Sequence, residues 1–564
     1  MNKKCSIVFM VITVLLLNTP SPCFPSTPGY FDGIVMEKAI VVVDPMGFVK
    51  ESAPLGHTEH MRYLKIRALA SQSRVLKFLE VGRKIGLVKS YRSYWITNAI
   101  WLEADKSIIQ ELAAFYEVEK VLRPERMMPV LEETPGNAPE GRSAEGGLLV
   151  MGADSLWSLG LTGLGRMVCI VDTGVDGNHP AFSDRWRGAE EGVDWSEAWF
   201  DPVGGTQFPV DENDHGTFMA GLVLGREGPD TTGVAPDAVW IAARAIGGDD
   251  FIADLLSSLQ WAFDPDGDPE TDDDVPDVIP FTWSFFSICD DLLWDSIDAL
   301  EEAGVVVVTS AGSYGPGSET IGSPADRIES PVNCFSVGTV DGWSPDFAIA
   351  SFSSRGPSGC DGQTVKPEVV SPGINVRSTV AGGGYSVWSG NSLSTAYVAG
   401  GIALLAQAEA ASEVDSIKES LLYSAVDLGS PGEDNTYGWG LVNLPGALDE
   451  LGGVTVAKID LEPETGTVQQ GDSLYLDYEL RNPTSILQAF EAFLGVKPPV
   501  GDGFLLNRRS LSLPPVSSIS GTLPLWVPMK APPGSYELIG LTATMGPFTV
   551  IDIDTVSVTV VEAP

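Results

Sequence analysis

Between residues 150 and 450 the chain repeats one device: a short, almost wholly apolar run that stops at a turn. The runs read MVCIVDTG, AVWIAARAI, DVIPFTW, GVVVVTSAG, CFSVGTV and PEVVSPG, with helical spacing between them. A strand that is apolar on both faces has to be covered on both faces. Strands that alternate with helices pair in parallel through crossovers. The pattern therefore predicts an α/β fold, a parallel sheet with helices on both faces, over 150–451. It also predicts chemistry at the carboxyl ends of the strands.

The flanks follow other rules. Residues 36–123 read as a small α+β unit. A helix runs through Leu64, Leu69, Leu76, Leu79 and Ile85, a strand over SYWITNAIWL (93–102), a second helix over 108–116, and a strand over 118–122. Residues 124–149 read as a linker, and the stretch EETPGNAPEGRSAEGG (132–147) as exposed chain. Residues 453–564 carry SLYLDYEL, FEAFLGV, TLPLWV, YELIGLTA and TVSVTVV between Gly and Pro, which predicts a C-terminal β-sandwich. Its strand count should be about seven.

Charge narrows the partners. A net charge of −42 over 564 residues repels phosphate backbones and argues against nucleic-acid binding. From Met61 to Val130, however, there are 13 Lys and Arg against 7 Asp and Glu. A basic unit beside an acidic body is expected to dock on it electrostatically; an independent basic unit with another partner is the alternative.

At the start, Lys3 and Lys4 precede an apolar run from Cys5 to Leu17. That length suits a signal peptide over 1–26 better than a stable membrane span, and the expected location is secreted or cell envelope. Pro22 before Cys23 argues against a lipoprotein. Beyond the leader stand Cys169, Cys289, Cys334 and Cys360, with all three pairings open and no CxxC zinc signal. Cys169, inside an apolar run, reads as a buried thiol.

One stretch asks for chemistry. SGNSLSTAYVAG (389–400) sets hydroxyls where a loop becomes an apolar helix. They are either helix caps or include a nucleophile, which needs a base and an orienting acid. The chain has four histidines. His57 and His60, in HTEH, have a metal-compatible spacing but no neighbouring ligands, and His179 in NHP reads as structural. His215, in DENDHGTFMAGLVLG, opens a helix and suits the base. Asp172, in VCIVDTGVD, ends a strand and suits the acid.

Together these words resemble the subtilisin-like serine proteases, the subtilase family. The resemblance rests on DTG (172–174), HGT (215–217), GVAP (233–236), FSSRGP (352–357), KPEVVSPGINV (366–376) and GNSLSTAYVAG (390–400), in the order Asp, His, Ser. GADSLWSLGLTGLG, HPAFSDRWRG and WFDPVGGTQFPVDENDHGT bring it nearer the bacillopeptidase F-type members. The resemblance implies a subtilisin-like sheet, Asp172, His215 and Ser392 as catalytic triad, and protein or peptide substrates. It also implies that 36–123 is an inhibitor prodomain and intramolecular chaperone, removed by self-cleavage near the linker.

The family pattern is broken at several points. The usual Asn that donates to the oxyanion is Ser313, and loss of such a donor typically costs ~10²–10³ in turnover. One wall of the specificity pocket reads Pro280-Phe281-Thr282-Trp283-Ser284, and Ser284 in place of Gly is expected to crowd a substrate backbone. Phe218 and Ala396 replace a usual His and Pro. No cofactor is required for catalysis. Asp264, Asp266 and Asp268, alternating around Gly267, are a candidate structural calcium site, or else a solvated acidic insertion. Two functions are thus expected: an exported serine endopeptidase made as a zymogen, or a binding scaffold with impaired catalysis.

Overall fold

The N-terminal unit is built by two periodicities that meet. In β1 (Met36–Val43) alternate residues Ala39, Val41 and Val43 face one core. Helix α1 (His57–Lys84) brings Val75, Phe78 and Leu79 to the same core. The antiparallel sheet adds β2 (Val88–Tyr94), β3 (Ala99–Asp105) and β4 (Val118–Leu122), in the order β2-β3-β1-β4. Helix α2 (Lys106–Leu112) closes it with Ile108 and Leu112. Gly82 lets α1 lie directly on β2, since a Cβ there would stand 2.6 Å from Val88 Cγ2. The single strand expected over 93–102 is instead a hairpin, which turns at Asn98 with φ 49°. Its side chain fixes the turn: Nδ2 donates to Val43 O at 2.6 Å, while Oδ1 accepts from Ser71 Oγ and Gln72 Nε2.

The computed structural model describes residues 35–44, 56–124, 129–130, 133–136, 146–268, 270–286, 289–408, 413–451, 458–482, 488–501, 503–513, 517–544 and 550–563. The signal-peptide reading of 1–26 lies outside them. Two linker segments are described as short strands, β5 (Pro129–Val130) and β6 (Thr134–Pro135).

The apolar runs of the middle form one sheet. Its strands are β7 (Met167–Asp172), β8 (Trp199–Phe200), β9 (Val239–Arg244), β10 (Val278–Phe281), β12 (Val306–Ser310), β13 (Phe335–Val340) and β14 (Val369–Pro372). They lie in the order β14-β13-β12-β10-β7-β9-β8, every pair parallel. The short strand β11 (Ser284–Phe285) follows β10, and β15 (Val376–Val380) pairs with β16 (Gly384–Ser389) beside the sheet. Helices α3 (His215–Leu224), α4 (Phe251–Ala262), α5 (Trp294–Glu302) and α6 (Asn391–Ala408) accompany it. Residues of α6 from Asn391 to Ala406 are buried on every side, as a helix apolar all round must be. Cys289 and Cys360 form a disulfide, which settles the open pairing, and Cys169 and Cys334 are buried free thiols.

Residues 448–564, with two short segments from 157–161 and 407–411, form a second compact unit. Its strands are β17 (Lys458–Pro463), β18 (Thr467–Gln469), β19 (Ser473–Asn482), β20 (Gln488–Lys497), β21 (Phe504–Leu513), β22 (Ser517–Trp526), β23 (Gly534–Thr544) and β24 (Val550–Val561). A three-stranded sheet, β17-β19-β22, and a five-stranded one, β18-β24-β23-β20-β21, share a core that includes Leu476, Leu480, Phe490, Leu538 and Val558. With the three-residue β18, eight strands stand among the described residues of this unit. Among the described residues, no helix is long and apolar enough to cross a membrane.

Asn98 supplies a test of the N-terminal unit. Asn98→Ala puts a Cβ-bearing residue without a polar side chain in the left-handed region, takes an acceptor from Ser71 Oγ and Gln72 Nε2, and takes the side-chain donor from Val43 O. It should cost about 2–4 kcal/mol. Asn98→Gly restores the backbone and should cost less. Hydrogen exchange over β1 and α1, in full-length Ser392→Ala chains, would read both.

Candidate active site

Asp172 is the last residue of β7 and has no exposed surface. A buried carboxylate needs donors, and three reach it. Thr173 N donates to Oδ1 at 2.6 Å, Thr282 Oγ1 to Oδ2 at 2.6 Å, and His215 Nδ1 lies 2.7 Å from Oδ1. Burial by itself would raise this carboxyl, but the imidazole charge and the three hydrogen bonds outweigh it and hold it below the usual carboxylate range.

His215 is the first residue of α3 and is 1% exposed. Asp214 before it has φ 75°, and its Oδ1 accepts from Ala381 N at 3.0 Å, which anchors the turn that aims the imidazole at β7. The glycines of DTG and HGT let the two segments touch. A Cβ on Gly174 would stand 2.0 Å from Val210 O, and one on Gly216 would stand 2.0 Å from Gly174 O. Thr173 Oγ1 stitches them, accepting from Gly216 N at 2.9 Å and donating to Asp211 at 3.0 Å.

Ser392 is the second residue of α6 and 5% exposed, so the N–H groups of the first helical turn lie beside its hydroxyl. Its Oγ donates to Glu133 Oε1 at 2.7 Å. The same oxygen lies 3.0 Å from His215 Nε2. Ser392 Oγ and His215 Nε2 thus both reach one atom, and Asp172 meets the imidazole from its other side. Asn391 is spent on structure, with Nδ2 bonded to Ser310 Oγ and Val337 O and Oδ1 to Thr339 Oγ1.

Glu133 is the residue that sequence reasoning missed. It stands between two strands that clamp the linker across the cleft. On one side Val130 pairs with Ser284 and Pro129 with Phe285; on the other Thr134 pairs with Ser389 and Pro135 with Trp388. Both pairings are antiparallel, in the manner of a peptide bound by added strands. Burial would raise the Glu133 carboxyl, yet His215 and the Ser392 hydroxyl overcome it and leave it low. His215 in turn would be lowered by burial, but the two carboxylates raise it well above its ordinary value. The one signal in the sequence was EETPG itself, which composition assigns to exposed linker.

The other expected residues divide. Thr282 donates its hydroxyl to Asp172. Trp283 is buried, donates to Val171 O at 3.2 Å and stacks on Phe281 at 4.8 Å, so it is core. Ser284 does not block strand pairing: its hydroxyl turns to Tyr314 OH at 3.1 Å while its backbone pairs with Val130. Ser313 is half-buried, next to Gly312 with φ 101°.

The calcium reading is not supported. Asp264 pairs with Lys65 at 3.3 Å; Asp266 and Asp268 accept the backbone N–H of Asp268 and Glu270 and so close their own turns. Among the described residues no three acidic, His or Cys side chains gather as ligands. His57 bonds to Phe263 O at 2.8 Å, His60 faces Glu302 at 3.3 Å, and His179 lies 3.0 Å from Gly384 O, all structural contacts.

A parallel sheet of seven strands with an acid, an imidazole and an alcohol converging at its carboxyl edge defines a subtilisin-like protein. The chain belongs to the subtilase family, whose sequence profile matches residues 163–440. It is 36% identical over 425 residues to bacillopeptidase F of Bacillus subtilis, covering 70% of this chain but only 28% of that protein. It is 30% identical over 309 residues to subtilisin Savinase of Lederbergia lenta, covering 54% of this chain and 99% of that one. It is also 27% identical over 289 residues to the minor extracellular protease Epr of Bacillus subtilis, covering 51% of this chain and 39% of Epr.

Thr282→Val removes a hydroxyl from a buried charge and should cost about 1.5–3 kcal/mol, most of it recovered by Thr282→Ser. The Asp172 carboxyl is depressed, so its contribution is present above the ordinary carboxylate range and lost as pH falls through the depressed value. The deficit of the Val variant should therefore be full near neutrality and shrink on acidification. Urea unfolding across pH measures this.

Proposed function

We propose that the protein is an exported serine endopeptidase, synthesised as a zymogen, that hydrolyses peptide bonds through an acyl-enzyme. The observation that carries this reading is the convergence of Ser392 Oγ and His215 Nε2 on one oxygen, with Asp172 at 2.7 Å behind the imidazole. Ser392 Oγ attacks the carbonyl carbon as its proton passes to His215 Nε2. Asp172 holds the tautomer and balances the imidazolium. The first-turn N–H groups of α6 face the developing oxyanion. His215 then gives the proton to the leaving amine, and water, deprotonated by the same nitrogen, releases the acid.

The prodomain reading of 36–123 is supported by how the unit meets the catalytic body. Arg92 pairs with Asp254 at 3.1 Å, Lys65 with Asp264 at 3.3 Å, and Lys38 with Asp250. Tyr94 OH donates to Ala253 O at 2.8 Å, and Thr97 Oγ1 to Leu292 O at 2.9 Å. The basic excess of the unit is spent on acidic partners, which suits an intramolecular inhibitor. Val130 pairs with β11 and Thr134 with β16 on the two sides of Glu133, which supports a bond presented to Ser392 between Val130 and Thr134. Export rests on Lys3, Lys4 and the apolar run after them, in keeping with the extracellular relative Epr.

Full-length chain should lose its N-terminal unit and leave a new terminus within residues 131–134, while Ser392→Ala stays whole. Intact mass and N-terminal sequencing decide it, and equal processing of both chains would leave the scaffold reading standing. In the processed enzyme, Ser313→Asn should raise turnover of a peptide substrate by ~10²-fold. An unchanged rate would mean that another group already donates to the oxyanion.

A further inference from the structure

The carboxylate of Glu133 has no part in the hydrolysis just described, yet it holds the centre of the site. Its Oε1 accepts from Ser392 Oγ at 2.7 Å and lies 3.0 Å from His215 Nε2. Its stem packs on the turn before the nucleophile, where a Cβ on Gly390 would stand 3.2 Å from Glu133 Cγ. The side chain is 10% exposed. A carbonyl carbon under attack, and the proton leaving Ser392, must use this same space.

We propose that Glu133 is a proton-gated plug: its carboxylate ties down nucleophile and base together, so that the threaded linker is not cut until His215 loses its proton. The proposal rests on the zymogen reading above and adds its control.

The electrostatics give the direction of the gate. The groups acting on Glu133 are His215 at the start of α3, Ser392 in the first turn of α6, and Asp172 at the end of β7, which opposes its charge from behind His215. His215 is flanked by Asp172 on Nδ1 and Glu133 on Nε2; when it is protonated both ring nitrogens donate and neither can serve as a base. This contact is present below the ordinary imidazole range and is lost as pH rises through the raised value of His215. Above it, an anionic oxygen faces a ring lone pair and the plug is repelled. Acid does not open the gate, because protonating Glu133 leaves His215 protonated on Asp172. Self-cleavage should therefore switch on toward alkaline pH.

Two measurements test it. The first is the rate of self-cleavage against pH for wild type, Glu133→Gln and Glu133→Ala. Both variants should cut about tenfold or more faster near neutral pH, with onset at lower pH. The second needs no activity: in full-length Ser392→Ala, labelled at its four histidines, the His215 ring resonance should titrate at lower pH once Glu133→Gln is added. Superimposed rate profiles, or a His215 midpoint unmoved by Glu133→Gln, would overturn the plug. If neither wild type nor the Glu133 variants cut themselves while the midpoint moves, the protease reading fails and the gate falls with it, leaving only the Glu133–His215 contact. If self-cleavage proceeds and the midpoint stays, the plug alone fails.

Discussion

A carboxylate shut away from water is tolerated only where donors surround it, and Asp172 draws its donors from three parts of the chain, two of them distant. Thr173 follows it directly, Thr282 comes from the turn after β10, and His215 opens α3. Satisfying that one charge fixes the spacing of two neighbouring strand ends and the entry of a helix. Glycine is demanded at 174 and 216 because backbone must touch backbone there. The imidazole is thereby held in one orientation before any peptide arrives, which is the preorganisation that acyl transfer requires.

The linker is held in register by two strand pairings. Strand β11 and the end of β16 present free edges on either side of Ser392, and the linker pairs with both. Added-strand pairing reads backbone and little else, so any extended peptide can use the same edges. What distinguishes this segment is Glu133, whose carboxylate lies against both His215 Nε2 and Ser392 Oγ.

Much of the fold was legible because burial leaves a plain mark. Strands covered on both faces read as continuous apolar runs, and six such runs located the sheet. Asp172, His215 and Ser392 stood out because they sit in words where the neighbours are also constrained: Gly174 and Gly216 by contact, Ser392 by a helix start. Other readings failed for local reasons. SYWITNAIWL looks like one strand because the turn inside it depends on a single Asn bonded to β1 and α1. Trp283 and Thr282 look like pocket wall, but which way each points depends on Val171 and Asp172 on the adjacent strand. The alternating aspartates after 263 suggest a cation, yet their oxygens close turns and meet Lys65.

By itself the sequence determined the α/β architecture and the flanking units, and singled out Asp172, His215 and Ser392, since periodicity and local backbone demands are written residue by residue. The tertiary structure alone decided that Cys289 meets Cys360, that Thr282 serves the acid, and that Glu133 lies against Ser392. Those facts join positions scores or hundreds of residues apart. Proximity of that kind comes from how strands order in a sheet and where a threaded segment is clamped, and no local pattern of side chains encodes it.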